Sequence, residues 1–248
     1  MKAPPPIAVL VPARRASTRL PEKLLLAEHG EPLIATVARR AALAFGPDAV
    51  VVCADDAALV AAVTPTGIRA VLTRADHTSG TDRIAEVAAG LGSEIIVNVQ
   101  GDEPEMEPEH IRLVAGLLAK HPWAGMATLA VPAGLDAQGN PNQVKVVIGN
   151  GNRALWFTRS PAPFDRDRGG PAADTHRHLG IYAYRRDVLL GYGRLPKSPL
   201  EDLERLEQLR ALANGIGIAI AVVPNATPGI DVRADYDAFL NRHMKTAP

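Results

Sequence analysis

Residues 7–25 read IAVLVPARRASTRLPEKLL. The opening run Ile7-Ala8-Val9-Leu10-Val11 is apolar at every position and rich in β-branched residues, which predicts a strand buried on both faces. It stops at Pro12, and the chain then gathers Arg14, Arg15, Arg19 and Lys23 against the single acid Glu22. That local excess of +3 stands out in a chain whose 27 basic side chains balance 27 acidic ones. With no net field to draw the whole molecule to nucleic acid or an anionic membrane, any anion must be recognised locally, and a loop leaving a buried strand is suited to phosphates.

Further apolar runs at 49–53 (AVVVC), 68–72 (IRAVL) and 94–99 (EIIVNV) alternate with segments of helical spacing at 33–44, 56–63, 82–91 and 109–119. This alternation predicts βαβ units. The expected fold is α/β, with a mostly parallel, Rossmann-like sheet, helices on both faces, and ligands gathered beyond the carboxyl ends of the strands. Three loops satisfy that placement: 12–23, 73–81 and 100–105. Beyond 125, the runs 126–131, 143–148, 154–159 and 178–184 have strand composition between Pro/Gly-rich loops, predicting a smaller antiparallel extension. The stretch 165–176 reads as a surface loop. Leu203, Leu206, Leu209 and Ala213 predict one face of a helix over 201–213, stopped at Asn214 or Gly215, and a last helix runs from about 234 to 243.

Hydrophobic residues make up 47% of 248, enough for a substantial core, and 21 glycines with 21 prolines fall short of low complexity. No repeat or linker stands out, so one domain is expected. The first apolar run is short and followed by arginines, the reverse of a secretory signal, and no stretch approaches the length of a membrane span, which together imply a cytoplasmic protein. Cys53, the single cysteine, sits where a buried strand places a small apolar side chain. The loop after the first strand contains neither G-x-x-x-x-G-K-[ST] nor G-x-G-x-x-G, which argues against a P-loop enzyme and a nicotinamide-dependent dehydrogenase.

VPARRASTRLPEKLL (11–25) resembles the signature loop of sugar nucleotidyltransferases, and in particular the 3-deoxy-manno-octulosonate (KDO) cytidylyltransferase family. The likeness continues in order through TRADHTSGTDRIAEV (73–87), IIVNVQGDEPEMEPEHI (95–111), GMATLAVP (125–132), NPNQVKVV (140–147), RHLGIYAYR (177–185) and SPLEDLERLEQLR (198–210). It implies a single nucleotidyltransferase domain with a CTP-binding half at 1–124 and a sugar-binding and dimerisation half at 125–248. The implied reaction transfers CMP from CTP to the anomeric hydroxyl of KDO, releasing pyrophosphate, in the service of lipopolysaccharide biosynthesis.

By that resemblance Lys23, Arg15, Asp102 and Asp231 are catalytic, and Asp102 and Asp231 hold Mg2+, a hard cation suited to carboxylates that follow strands. Ala13, Arg14, Lys23, Thr78, Ser79, Gln100 and Gly101 would bind the nucleotide. Arg15, Gln100, Arg159, His178, Tyr182, Glu207 and Gln208 would bind the sugar. Arg19 adds charge nearby, while Glu103 and Glu105 are weaker candidates. Read without the resemblance, Ser79 or Thr81 caps a helix with Arg83 on its exposed face, Asp231 is a cap or turn residue, and His178 and Tyr182 are packed strand residues.

Two departures stand out. Where the family's loop reads L-P-G-K-P-L, this chain has Leu20-Pro21-Glu22-Lys23-Leu24-Leu25, so a glutamate that disfavours positive φ stands beside the lysine. PGIDVRADYD (228–237) lacks the Thr-Pro that often follows the aspartate. The competing readings are a cytidylyltransferase for another sugar acid, such as 8-amino KDO or a nonulosonic acid, and a nucleotide-binding regulator without turnover.

Overall fold

The structure is a computed structural model describing residues 6–245. The chain packs as two compact units, residues 1–112 with 227–248 and residues 113–226. The division falls within a helix, Pro108–Lys120.

In the first unit, strands β1 (Ile7–Ala13), β2 (Val50–Ala54), β3 (Arg69–Leu72) and β4 (Ile95–Asn98) lie in the order β3-β2-β1-β4, with every pair parallel. β2 and β4 are buried at every position and β1 at all but Ile7, as their unbroken apolar runs require. At the edge, β3 keeps Arg69 and Leu72 exposed. Helices α1 (Leu33–Phe45), α2 (Ala57–Val63), α3 (Gly80–Ala89) and α4 (Pro108–Lys120) follow in chain order. Asp56 caps α2 by accepting from Ala58 N at 2.7 Å, and Gly46, at φ 87°, ends α1. Burial in β2 pushes the Cys53 thiol up to about 12, which keeps it an inert core residue.

The second unit contains β5 (Ala124–Ala133), α5 (Leu135–Gly139), β6 (Lys145–Gly149), β7 (Arg153–Thr158), β8 (Phe164–Asp165), β9 (Gly170–Pro171), β10 (Thr175–Arg185), α6 (Arg186–Tyr192), α7 (Pro199–Glu204), α8 (Gln208–Ala213) and β11 (Gly217–Val222). Its strand order is β10-β5-β11-β7-β6, and β6 returns to pair with β10 through Lys145 and Arg177. Only β5 and β11 run parallel; the other pairings are antiparallel. The fold is therefore mixed α/β. Its antiparallel part is a five-stranded assembly and not a small extension. The stretch expected as a loop contains the two-residue ladder of β8 and β9.

The helix expected over 201–213 is two helices. Arg205 takes the left-handed conformation at φ 53°, ending α7, and α8 begins three residues later. The break rotates the apolar pattern, leaving Leu203 79% exposed while Leu206 and Leu209 are buried. The stop at Asn214 and Gly215 (φ 76°) is as expected. Helix α9 (Arg233–Lys245) closes the chain and belongs to the first unit.

Glu201 of α7 and Arg210 of α8 meet in a buried bidentate pair at 2.8 and 2.5 Å, each side chain about 10% exposed. The carboxylate holds the guanidinium pKa above its ordinary value. Removing one partner strands a buried charge, so Glu201→Ala is expected to lose about 3 kcal/mol of unfolding free energy, read as a lower midpoint in urea denaturation.

Candidate functional site

A cavity of about 300 Å³ opens at the carboxyl ends of β1 and β4, lined by Pro12, Arg14, Ala16, Ser17, Lys23, Leu24, Gly80, Gln100, Gly101 and Asp102. Close backbone approach builds it: a Cβ on Gly101 would lie 2.8 Å from the carbonyl oxygen of Pro12, so this position requires glycine. Lys23, only 8% exposed, begins a single 3-10 turn over Lys23–Leu25. Its Nζ donates to Asp102 Oδ2 at 2.6 Å and to the Ile230 carbonyl at 2.5 Å, and stands 3.8 Å from Asp231 Oδ1. Arg19 Nη2 donates to the same Asp231 oxygen at 2.8 Å.

Asp102 and Asp231, far apart in sequence, thus converge on one ammonium. Asp231 is not the cap of α9; its backbone N–H and that of Val232 go to the Asp235 carboxylate, which leaves the Asp231 side chain for the two cations. A cation already sits between the two carboxylates, with a backbone carbonyl beside it, and this is a hard oxygen donor set. Among the described residues, no group of three or more His, Cys, Asp or Glu is arranged to hold a metal ion. Mg2+ does not need one, because it commonly binds through one or two carboxylates and keeps its remaining positions for water and substrate phosphates.

The rest of the basic loop is divided. Arg14 lines the cavity and donates through Nη2 to the His77 carbonyl at 2.9 Å. Arg15 does not line it. Its Nε and Nη2 donate to Glu22 Oε1 at 2.9 and 2.7 Å, its Nη1 to Asp56 at 3.2 Å and its backbone N–H to Asp55 at 2.9 Å. Ala13 is buried, its carbonyl accepting from Asp55 N. Glu22 lies at φ 51°, so substitution of the glycine has not removed the left-handed turn. The turn persists at a strain of roughly 1 kcal/mol, and the acid pairs with Arg15, not with Lys23.

Ser79 caps α3, accepting from Asp82 N at 3.0 Å, while both Ser79 and Thr78 hydroxyls donate to Asp82 Oδ2. Neither side chain lines the cavity; the neighbouring Gly80 does. Gln100 and Gly101 lie on the loop after β4 and line the cavity. Arg83, expected on the exposed face of α3, is fully buried. Its Nη1 donates to Thr73 Oγ1 at 2.5 Å and to the Arg74 carbonyl at 3.1 Å, and Asp55 lies 3.7 Å from Nη2. Apolar periodicity carries no signal for such an arginine, which Thr73, the Arg74 carbonyl and the nearby Asp55 carboxylate hold inside the fold.

In the second unit, β10 is irregular between Leu179 and Tyr182, and Thr128 fills the irregularity by donating to the Ile181 and Leu179 carbonyls. A regular strand would separate residues four apart by about 13 Å. Here the rings of His178 and Tyr182 lie 5.3 Å apart, with Phe157 edge-on to His178 at 5.0 Å. His178 Nε2 is 2.9 Å from Thr128 Oγ1. Both residues are half-buried. Burial, with a lesser push from Arg177, lowers His178 to about 3, and burial raises Tyr182.

Arg159 donates to the carbonyls of Glu204, Pro141 and Arg205, and Gln208 is buried at the start of α8. Glu207 precedes it, its carbonyl accepting from Tyr192 OH at 2.8 Å. Lys145, which the motif reading passes over, is fully buried and donates to the Arg159 carbonyl at 2.6 Å and that of Asn140 at 3.1 Å. Desolvation lowers its pKa. Lysine inside NQVKVV, facing in from a strand, was the available signal.

The sequence pattern of the family described as cytidylyltransferase matches residues 8–219. A 3-deoxy-manno-octulosonate cytidylyltransferase from Syntrophobacter fumaroxidans is 46% identical over 238 residues, covering 94% of this chain and 95% of its own length. The chain belongs to this family. A solved structure of CMP:2-keto-3-deoxy-manno-octonic acid synthetase complexed with CTP superposes with a TM-score of 0.92 at 38% identity, over 98% of this chain and all of that one. A cytidylyltransferase from Leptospira borgpetersenii, at 17% identity, TM-score 0.64 and coverage of 98% and 88%, shares the fold. Among the described residues no helix is long and apolar enough to cross a membrane.

A His178 ring held at about 3 binds no proton in the folded state across most of the range where the unfolded chain, near 6.5, does. The unfolded state then carries the extra proton, so this residue withdraws stability as pH falls from about 6.5 toward 3. His178→Asn is expected to show a shallower decline in unfolding free energy between pH 7 and 4. The His178 ring-proton NMR shift of the parent should stay at its neutral value down to about pH 4.

Proposed function

We propose that the chain transfers CMP from CTP to the anomeric hydroxyl of KDO, giving CMP-KDO and pyrophosphate. The observation that carries this reading is the cavity holding Arg14, Lys23, Gln100, Gly101 and Asp102 in a chain that matches, end to end, a synthetase whose solved structure contains CTP. Nucleotidyl transfer needs little covalent participation by the protein. It needs an oxygen nucleophile placed in line with the α-phosphorus and cations where negative charge develops. Lys23 and Arg14 supply fixed positive charge on the cavity wall, with Arg19 beside Asp231. Gly80, Gln100 and Gly101 offer backbone and amide groups for the nucleotide, with Ser79 and Thr78 fixing the start of α3 behind them.

Asp102 and Asp231 are the residues that would hold Mg2+, which when bound neutralises triphosphate charge and favours pyrophosphate departure. Lys23 now neutralises this pair and would turn toward phosphate. His178, Tyr182, Glu207 and Gln208 are assigned to the sugar. A neutral His178 beside a Thr128 hydroxyl suits hydroxyl recognition better than recognition of a carboxylate. Arg159, already engaged by three carbonyls, is assigned as a brace for that region as much as a ligand. We further assign the first unit as the Rossmann-like nucleotide half, and the protein as a cytoplasmic homodimer serving lipopolysaccharide biosynthesis.

Purified protein with Mg2+ and KDO is expected to release pyrophosphate with CTP and far more slowly with UTP, ATP or GTP. Substitution of 8-amino KDO or sialic acid for KDO tests the acceptor. CTP binding without release under any of these conditions would point to a nucleotide sensor instead. Asp102→Asn and Asp231→Asn are each expected to lower turnover at least about 100-fold and to abolish the Mg2+ dependence of CTP affinity measured by calorimetry. Full turnover in either variant removes it from the metal assignment.

A further inference from the structure

The Arg15 guanidinium is held between two carboxylates, with a third on its backbone. Glu22 accepts from Nε and Nη2, Asp56 accepts from Nη1, and Asp55 fixes the backbone N–H. It lines a shallow cavity of about 460 Å³ with Pro21, Glu22, Asp55, Asp56 and Ala75. Ala16 and Ser17 line both this cavity and the one that contains Lys23. The guanidinium is therefore one residue away from the wall of the nucleotide cavity while being held outside it.

The partners are not equivalent. Asp56 is committed to the cap of α2 as well as to Arg15, and Asp55 serves the loop backbone. Glu22 has no such second task among its hydrogen bonds, and its backbone occupies a conformation that glycine would take without strain. It retains a conformation unfavourable for glutamate while presenting its carboxylate to Arg15.

We infer that Glu22 is a positioning residue that parks Arg15 outside the nucleotide cavity until a substrate anion, phosphate or carboxylate, competes for the guanidinium. The pair is suited to release. Its side chains are 46% and 54% exposed, and exposed pairs of this kind are weak and screened by salt. A substrate anion held in the adjoining cavity competes with one such weak pair, so Glu22 weakens anion capture without blocking it. This role for Glu22 rests on the anion-binding function proposed for the cavity.

The test compares the parent with Glu22→Gln, which keeps the side chain's size and loses its charge, and Glu22→Gly, which also relieves the backbone. Calorimetry measures the affinity of tripolyphosphate alone and of KDO alone, and steady-state assays give KM and kcat for CTP and KDO. Both variants are expected to bind the anion that Arg15 serves about two- to fivefold more tightly, with the same fall in KM for that substrate and kcat unchanged. Tripolyphosphate and CTP moving together identify phosphate as that anion; KDO moving alone identifies the carboxylate. The ratio to the parent should collapse toward one in about 1 M salt, where the Debye length is about 3 Å.

Unchanged or weaker binding of both anions in variants with a normal thermal midpoint overturns the inference, as does a change confined to kcat. Tighter anion binding in a protein that releases no pyrophosphate would sink the proposed function and leave the role of Glu22 standing. Turnover with unmoved affinities would do the reverse.

Discussion

The Lys23 ammonium is the constraint on which the first unit's site depends. A lysine this buried must be neutralised where it stands, and two segments contribute to that: Asp102 from the loop after β4, and the Ile230 carbonyl and Asp231 from the segment before α9, both meeting the turn after β1. The same demand runs the other way, since two carboxylates so close to one another would repel without a cation between them. Backbone packing shows how tightly the segments are drawn together. Gly101 lies against the Pro12 carbonyl, and a Cβ on Gly229 would come within 3.3 Å of Glu103.

Delivering Asp231 requires α9 to be anchored, and the anchoring falls on the stretch just after the Lys23 turn. Arg233 forms a bidentate pair with Glu28, and Tyr236 OH accepts from Glu28 N at 3.1 Å. His29 packs edge-on against Phe239 with ring centroids 5.0 Å apart. The carboxylate and the lysine that it approaches are thus held by neighbouring parts of one helix-to-loop contact.

How much of this was legible follows from what each signal measures. Apolar runs with no alternation report burial on both faces, so β1, β2 and β4 were readable to within a residue or two, and with them the position of the basic loop. The motif resemblance supplied the pairing of Asp102 with Asp231, which spacing alone does not. Periodicity failed where a single backbone angle decides the outcome. Arg205 at φ 53° breaks a helix whose leucines keep helical spacing across the break. It also failed where tertiary contacts hold a charge inside: Arg83 and Lys145 are charged residues that sequence hydropathy places at the surface, yet Thr73 and Asp55 hold the first and the Asn140 and Arg159 carbonyls the second within the fold. Glu22 shows the opposite case, since a local rule correctly marked the position and misjudged the result. The turn keeps its hand, and the acid turns toward Arg15.

The two units solve different electrostatic problems with different devices. In the first, charges of both signs are brought within contact distance on loops, the Arg19–Asp231 pair exposed to solvent and the Lys23–Asp102 pair largely buried at the cavity wall. In the second, the groups assigned to the sugar sit on a bulged strand and a helix start, with aromatic rings around them and desolvation holding His178 neutral. A neutral imidazole beside a hydroxyl can donate or accept according to its tautomer, which suits a ligand whose hydroxyls do the same. Charged recognition tolerates a range of positions because Coulomb attraction falls slowly with distance, whereas hydroxyl recognition fails beyond hydrogen-bond reach. Anion binding can therefore be entrusted to a loop with ion pairs, whereas the hydroxyl recognition proposed for β10 would depend on a fixed backbone, and the Thr128 bonds to the Leu179 and Ile181 carbonyls tie the bulge to β5.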